Sequence, residues 1–160
     1  MNRKGVYFSF DAIIASIIFM LTVISLLSYW YSVREMVMSE DSLLSEEAQR
    51  ISNLVFLPTA DNEFGFALSY NTKTLNYTKI HQYADYISNN NIDLKGELYT
   101  PYETVIVFQF YEVQFGQLFL KSELTIGNSI SDPKSVSKTV RIASVDNKQI
   151  AKISVLVYKS

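Results

Sequence analysis

The sequence predicts an α+β fold in which a long N-terminal helix, transmembrane and then amphipathic, packs on a C-terminal antiparallel β-sheet domain. Three observations carry this expectation. Ala12 to Val33 is a run of 22 residues with no Lys, Arg, Asp, Glu or His. No Gly or Pro interrupts the chain from Val6 to Leu57. From Glu103 onward the composition turns to strand formers, ending in a segment where Ala151, Ile153, Val155 and Val157 alternate with Lys152 and Ser154.

At about 1.5 Å per residue the uncharged run is roughly 33 Å long, enough to cross a hydrocarbon layer about 30 Å thick. It holds ten Ile, Leu, Val or Phe residues, from Ile13 to Leu27. At about −0.3 to −0.6 kcal/mol each they favour insertion by roughly 3–6 kcal/mol. A helix apolar all round also lacks the polar face that a surface helix needs. A cleaved secretory signal fits less well, because the run exceeds a signal's apolar core and Ser28-Tyr29-Trp30-Tyr31-Ser32-Val33-Arg34 offers no small-x-small cleavage site. Arg3 and Lys4 put the N-terminal side in the cytoplasm, against a weaker opposing bias from Arg34. The expected topology is therefore a single pass through the cell membrane with the C-terminal domain extracellular. Tyr7, Phe8 and Phe10 before the run and Tyr29, Trp30 and Tyr31 at its end match interfacial aromatic belts.

Past the membrane, Val33, Met36, Val37, Leu44, Ala48, Ile51 and Val55 continue at three- and four-residue steps, with Arg34, Glu35, Glu40, Asp41, Glu46, Glu47 and Arg50 on the other face. Pro58 supplies the stop. The organisation expected is a leader at 1–5, a helix at 6–57 spanning the membrane at about 12–33, and a β-rich domain at 58–160. Within that domain, Thr59 to Asn62 reads as a turn, Phe64 to Tyr70 as a short strand and Asn71 to Thr74 as a loop. Thr78 to Ser88 reads as a helix with Ile80, Tyr83, Ala84 and Ile87 on its apolar face, ended by Asn89-Asn90-Asn91 and packed on the sheet edge. Thr104 to Tyr111, Val113 to Leu120 and Glu123 to Ile126 read as strands broken at Gly116 and Gly127, followed by a polar loop from Ser129 to Lys138. Thr139 to Val145 and Gln149 to Tyr158, around Asp146-Asn147-Lys148, predict a closing hairpin.

Composition narrows the chemistry. With a net charge of −2 and no basic patch, the chain has no footprint for nucleic acid. The absence of cysteine rules out disulfides and thiolate sites. His81 is the sole histidine and reads as an exposed helix residue. No GxSxG, HExxH or phosphate-binding Gly-rich loop is present, so no catalytic, metal or cofactor site is expected.

Asp11 has two readings. It sits in the first turn of a helix capped by Ser9, where the macrodipole favours an acid, or it is an acid at the hydrocarbon edge that pairs with a neighbouring cation. Ala12, Ala15 and Ser16, and further on Ser25 and Ser28, are small enough for close helix approach and equally suit a lipid-facing anchor. Asn76-Tyr77-Thr78 is an N-x-Thr sequon in a polar stretch, making Asn76 the candidate glycosylation site.

Arg3-Lys4-Gly5, the apolar helix from Val6 to Val33 and, more loosely, the closing β-hairpin together resemble a type IV pilin, most nearly the archaeal pilin-like proteins and minor pilins. The resemblance implies cleavage by a prepilin peptidase between Gly5 and Val6. It also implies bundling of the N-terminal helices of many pilin-like subunits into a filament. The family pattern has a glutamate as the fifth mature residue; here Phe10 is fifth and Asp11 sixth. The function expected is thus a structural subunit of a pilus-type surface filament or its assembly complex, using Asp11, Ala12, Ala15 and Ser16. The alternative is an unprocessed, single-pass extracellular binding or adhesion protein.

Overall fold

The computed structural model describes backbone at residues 3–128 and 133–159 and side chains from residue 10 onward. Its elements are α1 (Arg3–Leu54), β1 (Ala67–Ser69), β2 (Thr72–Leu75), α2 (Tyr77–Asn90), α3 (Leu94–Leu98), β3 (Glu103–Gln114), β4 (Gln117–Ile126), β5 (Ser135–Ser144) and β6 (Ile150–Lys159). The expected α+β class holds: one long N-terminal helix precedes antiparallel sheets. The chain divides into two compact units, Met1–Glu40 and Asp41–Ser160, so the last part of α1 belongs to the globular unit.

α1 has 52 residues and begins before Gly5. Asp11 therefore lies in the third turn, not the first, and the cap expected at Ser9 does not form, because the helix is already under way there. At the other end α1 gives out at Leu54, with Val55, Phe56 and Leu57 in a turn before Pro58. The expected apolar stripe is buried only from Leu44 on; Val33, Met36 and Val37 are exposed, because the packed core begins at Leu44.

Within the globular unit, β4-β3-β6-β5 form a four-stranded antiparallel sheet. Alternation sends Ile106, Phe108 and Phe110 of β3 and Ala151, Ile153, Val155 and Val157 of β6 to one face, all of them fully buried. On that face lie Leu44, Ala48 and Ile51 of α1 and Val55 just after it, together with Ile80, Tyr83 and Ile87 of α2. Phe66, just before β1, joins edge-to-face contacts with Tyr83 and Phe108, at centroid separations of 5.4 and 5.7 Å. Arg141 of β5 donates to Ser52 Oγ at 3.0 Å, tying the edge strand to α1.

Helix α2 is bounded by its caps. Asn76 Oδ1 accepts from the Lys79 N–H, and Asn91 adopts a left-handed conformation (φ 49°) that returns its N–H to the Ile87 and Ser88 carbonyls. The expected apolar face of this helix is the buried one. Of the expected loop at Asn71–Thr74, Asn71 is in a turn, whereas Thr72–Thr74 begin β2, which pairs with β1 in a small hairpin. The expected strand Val113–Leu120 is instead the two arms of the β3–β4 hairpin. Phe115 and Gly116 both have positive φ (52° and 77°), the geometry of a two-residue turn whose twist matches the strands. Ser135–Lys138 leave the expected polar loop to join β5, and the Lys134 N–H donates to the Lys159 carbonyl, while residues 129–132 lie outside the described ones.

Gly127 (φ +99°) abuts the Thr104 carbonyl and the Leu94 side chain, leaving no room for a Cβ. Gly127→Ala is expected to destabilise the domain strongly. Gly116→Ala, whose Cβ meets nothing within 4 Å, bears only the cost of its positive φ. Urea unfolding of the two variants of the full chain in detergent checks this: equal midpoints would contradict the packing described.

Candidate functional site

The residues singled out for assembly lie on the first unit, where all the described side chains from Phe10 to Ser39 are exposed. Gly5 and Val6 are in the first turns of α1. At about 100° per residue, Asp11 and Ala15 are about 40° apart, whereas Ala12 and Ser16 form a second pair about 100° further round the helix. The four residues thus make two neighbouring ridges and not one patch.

The helical register aligns Asp11 and Ala15 with a longer row. Ile18, Thr22, Ser25, Tyr29 and Ser32 follow at alternating three- and four-residue steps, so most small and polar side chains of the uncharged run collect along one seam. This seam was readable in the sequence as a heptad spacing, but it is masked there by the dense aliphatics on either side. Thr22 Oγ1 donates to the Ile18 carbonyl at 2.8 Å, so this hydroxyl is satisfied within its own helix. That suits an apolar medium, where an unpaired polar group is costly. By length and composition α1 is able to cross a membrane.

In the globular unit several polar groups hold the fold, while His81 Nε2, the Tyr83 hydroxyl, Thr104 Oγ1 and Ser122 Oγ are buried without a hydrogen-bond partner among the described residues. Glu47 and Arg50, one helical turn apart on α1, form a forked pair at 2.8 and 2.6 Å, and Arg50 Nη2 also donates to the Leu98 carbonyl at 2.8 Å. Hydrogen bonding from Arg50 lowers the Glu47 carboxyl below its ordinary range, burial opposes this, and the Thr100 hydroxyl adds to it. Lys79 Nζ donates to the Thr59 carbonyl at 2.7 Å and to Thr59 Oγ1 at 2.8 Å. Burial lowers its pKa, offset in part by Asp61 and Glu63. Burial raises the Tyr83 phenol.

His81 is half-buried and not the exposed residue expected. Its ring stacks on Phe110 with centroids 5.8 Å apart and leans on Tyr77 at 4.4 Å, because α2 turns this position toward the sheet. Asn76, the sequon asparagine, is half-buried and spends its Oδ1 as the α2 cap. A polar cavity of about 260 Å³ opens between α2 and the β3–β4 end of the sheet. Its acids are committed: Asp93 caps α3 through the Lys95 N–H, and Glu103 pairs with the Lys95 ammonium. Among the described residues no group of three His, Cys, Asp or Glu side chains converges as a metal site would require. Comparison with protein-family models, with curated proteins and with solved structures finds no match to this chain.

The Glu47–Arg50 pair makes a signed prediction. A carboxylate whose folded pKa is depressed stabilises the fold above its unfolded value, and that stabilisation is lost as pH falls through the folded value. Glu47→Gln is therefore expected to lower the urea midpoint at pH 7, with the gap to the parent closing at pH 3. A gap that persists unchanged at pH 3 would contradict the assignment.

Proposed function

We propose that this chain is a membrane-anchored, pilin-like structural subunit that assembles through its N-terminal helix into a pilus-type surface filament or the complex that builds one. The observation that carries the reading is the division of labour along α1. Its stretch from Ala12 to Val33 is uncharged and exposed, and its last part is built into the core of a folded domain. A soluble protein gains nothing from exposing Ile13 to Leu27 to water, and about 25 cal/mol for each Å² of apolar area drives that surface into lipid or against other helices.

The seam from Asp11 to Ser32 supports helix–helix contact over simple anchoring. Small side chains allow backbones to approach closely, and hydroxyls and a carboxylate find partners across such a contact. In this scheme Asp11 pairs with a cation of a neighbouring subunit, the partners are the membrane, a prepilin peptidase and other pilin-like subunits, and no reaction is catalysed. The orientation is N-terminus cytoplasmic, with the sheet domain displayed outside the cell.

The departure of Asp11 from the fifth mature position favours one rival, a permanently anchored surface binding protein that is never cleaved. The N-terminal mass separates them. The chain, expressed with a prepilin peptidase and purified from membranes or sheared surface material, is expected to begin at Val6. A chain that retains Met1–Gly5 would overturn the processed-subunit reading.

A further inference from the structure

The helices of the globular unit all pack on one face of the four-stranded sheet. The opposite face is built from alternate residues in register. One row across the sheet is Thr125, Val107, Ser154 and Val140; the next is Glu123, Gln109, Lys152 and Ile142. Beyond them Tyr111 stands beside Leu120 and Ile150, and Val113 beside Leu118. A solvent face of an antiparallel sheet is ordinarily polar. Here Ile142 is 75% exposed, Leu118 59% and Val140 44%, and among the described residues no helix or strand of the core cluster covers them. An apolar area of this kind marks an interaction surface.

The polar residues on the face identify its occupant. Gln109 Nε2 donates to Glu123 Oε2 at 2.8 Å, and the Tyr111 hydroxyl donates to Gln109 Oε1 at 3.3 Å, so the carboxylate is held beside the β3 column while Lys152 stands one strand further on. The acid and the base thus occupy opposite halves of the same row. A two-fold axis parallel to the strands, between β3 and β6, keeps each row at its height and reverses the order of the columns. It lays β4 over the other copy's β5 and β3 over its β6. Sheets stacked about 10 Å apart in this way put Glu123 within side-chain reach of the second copy's Lys152, and Val140 over its Thr125. A two-fold running across the strands through that row would instead set Glu123 on Glu123 and Lys152 on Lys152.

We propose that this sheet face is a self-association surface, on which a second copy of the chain stacks face to face about a two-fold parallel to the strands. The contact is distinct from helix–helix assembly and does not rest on it. Confinement of the copies to one bilayer raises their effective concentration for such a contact.

The absence of cysteine makes the test direct. Full-length Val140→Cys and Thr125→Cys chains are reconstituted in nanodiscs or liposomes, separately and mixed, and treated with a bis-maleimide that spans about 8 Å. Within one chain the two positions are three strand spacings apart, about 14 Å, beyond its reach. The mixture is expected to give a covalent dimer at least tenfold above either variant alone. Glu123→Lys or Lys152→Glu in both chains is expected to lower that yield severalfold, and the two reversals together to restore it. Cross-linking of Val140→Cys alone, at a yield equal to the mixture, would overturn the axis. No dimer in the mixture, with either protein still folded by circular dichroism, would overturn the contact itself.

Discussion

The globular unit depends on one contact, the seating of the last three turns of α1 on the inner face of the four-stranded sheet. Leu44, Ala48, Ile51 and Val55 lie at three- to four-residue steps and are almost wholly removed from water. Each of the larger three contributes about 1.5–3 kcal/mol through its burial. The facing residues, Ile106, Phe108, Ile153 and Val155, come from the two central strands, so the core loses its floor if either strand shifts by one residue. The remaining elements fill in around this contact. α2 covers the β4 side with Tyr83 and Ile87, Phe66 bridges the aromatic cluster, and Arg141 fastens the β5 edge to Ser52 and Asn53 of the helix.

Because α1 is continuous through Glu40, the helix that enters this core is also the one that carries the uncharged segment. The two parts obey different rules. The last turns need one apolar stripe and a polar back, which Glu47 and Arg50 supply. The uncharged segment from Ala12 to Val33 carries aliphatic side chains round most of its circumference, with the small and polar ones gathered mainly along the seam of Ala15, Thr22, Ser25, Tyr29 and Ser32. The proposed association draws on two separate surfaces, one along the helix and one on the outer face of the sheet.

The fold class was legible because its two signals are long: an uninterrupted helical run and a strand-rich C-terminal third. The apolar face of α2 and the closing hairpin were legible for the same reason, since Ile80, Tyr83, Ala84 and Ile87 keep helical period and Ala151 to Val157 keep strand period. Shorter or atypical signals were not. The β3–β4 turn places Phe115 where Asn or Asp would announce a tight hairpin, so Gly116 reads as a break within Val113–Leu120 and not as the reversal between two long strands. β2, with the sequence Thr-Lys-Thr-Leu, looks like loop because only Leu75 is buried. α3 is five residues long and has no periodicity to detect. Of the assembly candidates, the pairing of Asp11 with Ala15 follows from helical geometry, whereas Ala12 and Ser16 are near in sequence and round the side in space. The bare sheet face was hidden by its own alternation, because Val107, Val140 and Ile142 look like core until the register shows that the core lies behind them.

The proposed topology embeds the uncharged run of α1 in a bilayer and sets the sheet domain outside the cell. Single cysteines introduced at Leu21, in the uncharged run, and at Tyr70, an exposed position at the β1–β2 turn, report on both halves of it. In intact cells a membrane-impermeant maleimide is expected to label Tyr70→Cys and to leave Leu21→Cys unmodified until the protein is denatured. Ready labelling of Leu21→Cys, or labelling of Tyr70→Cys only after the cells are broken, would contradict it.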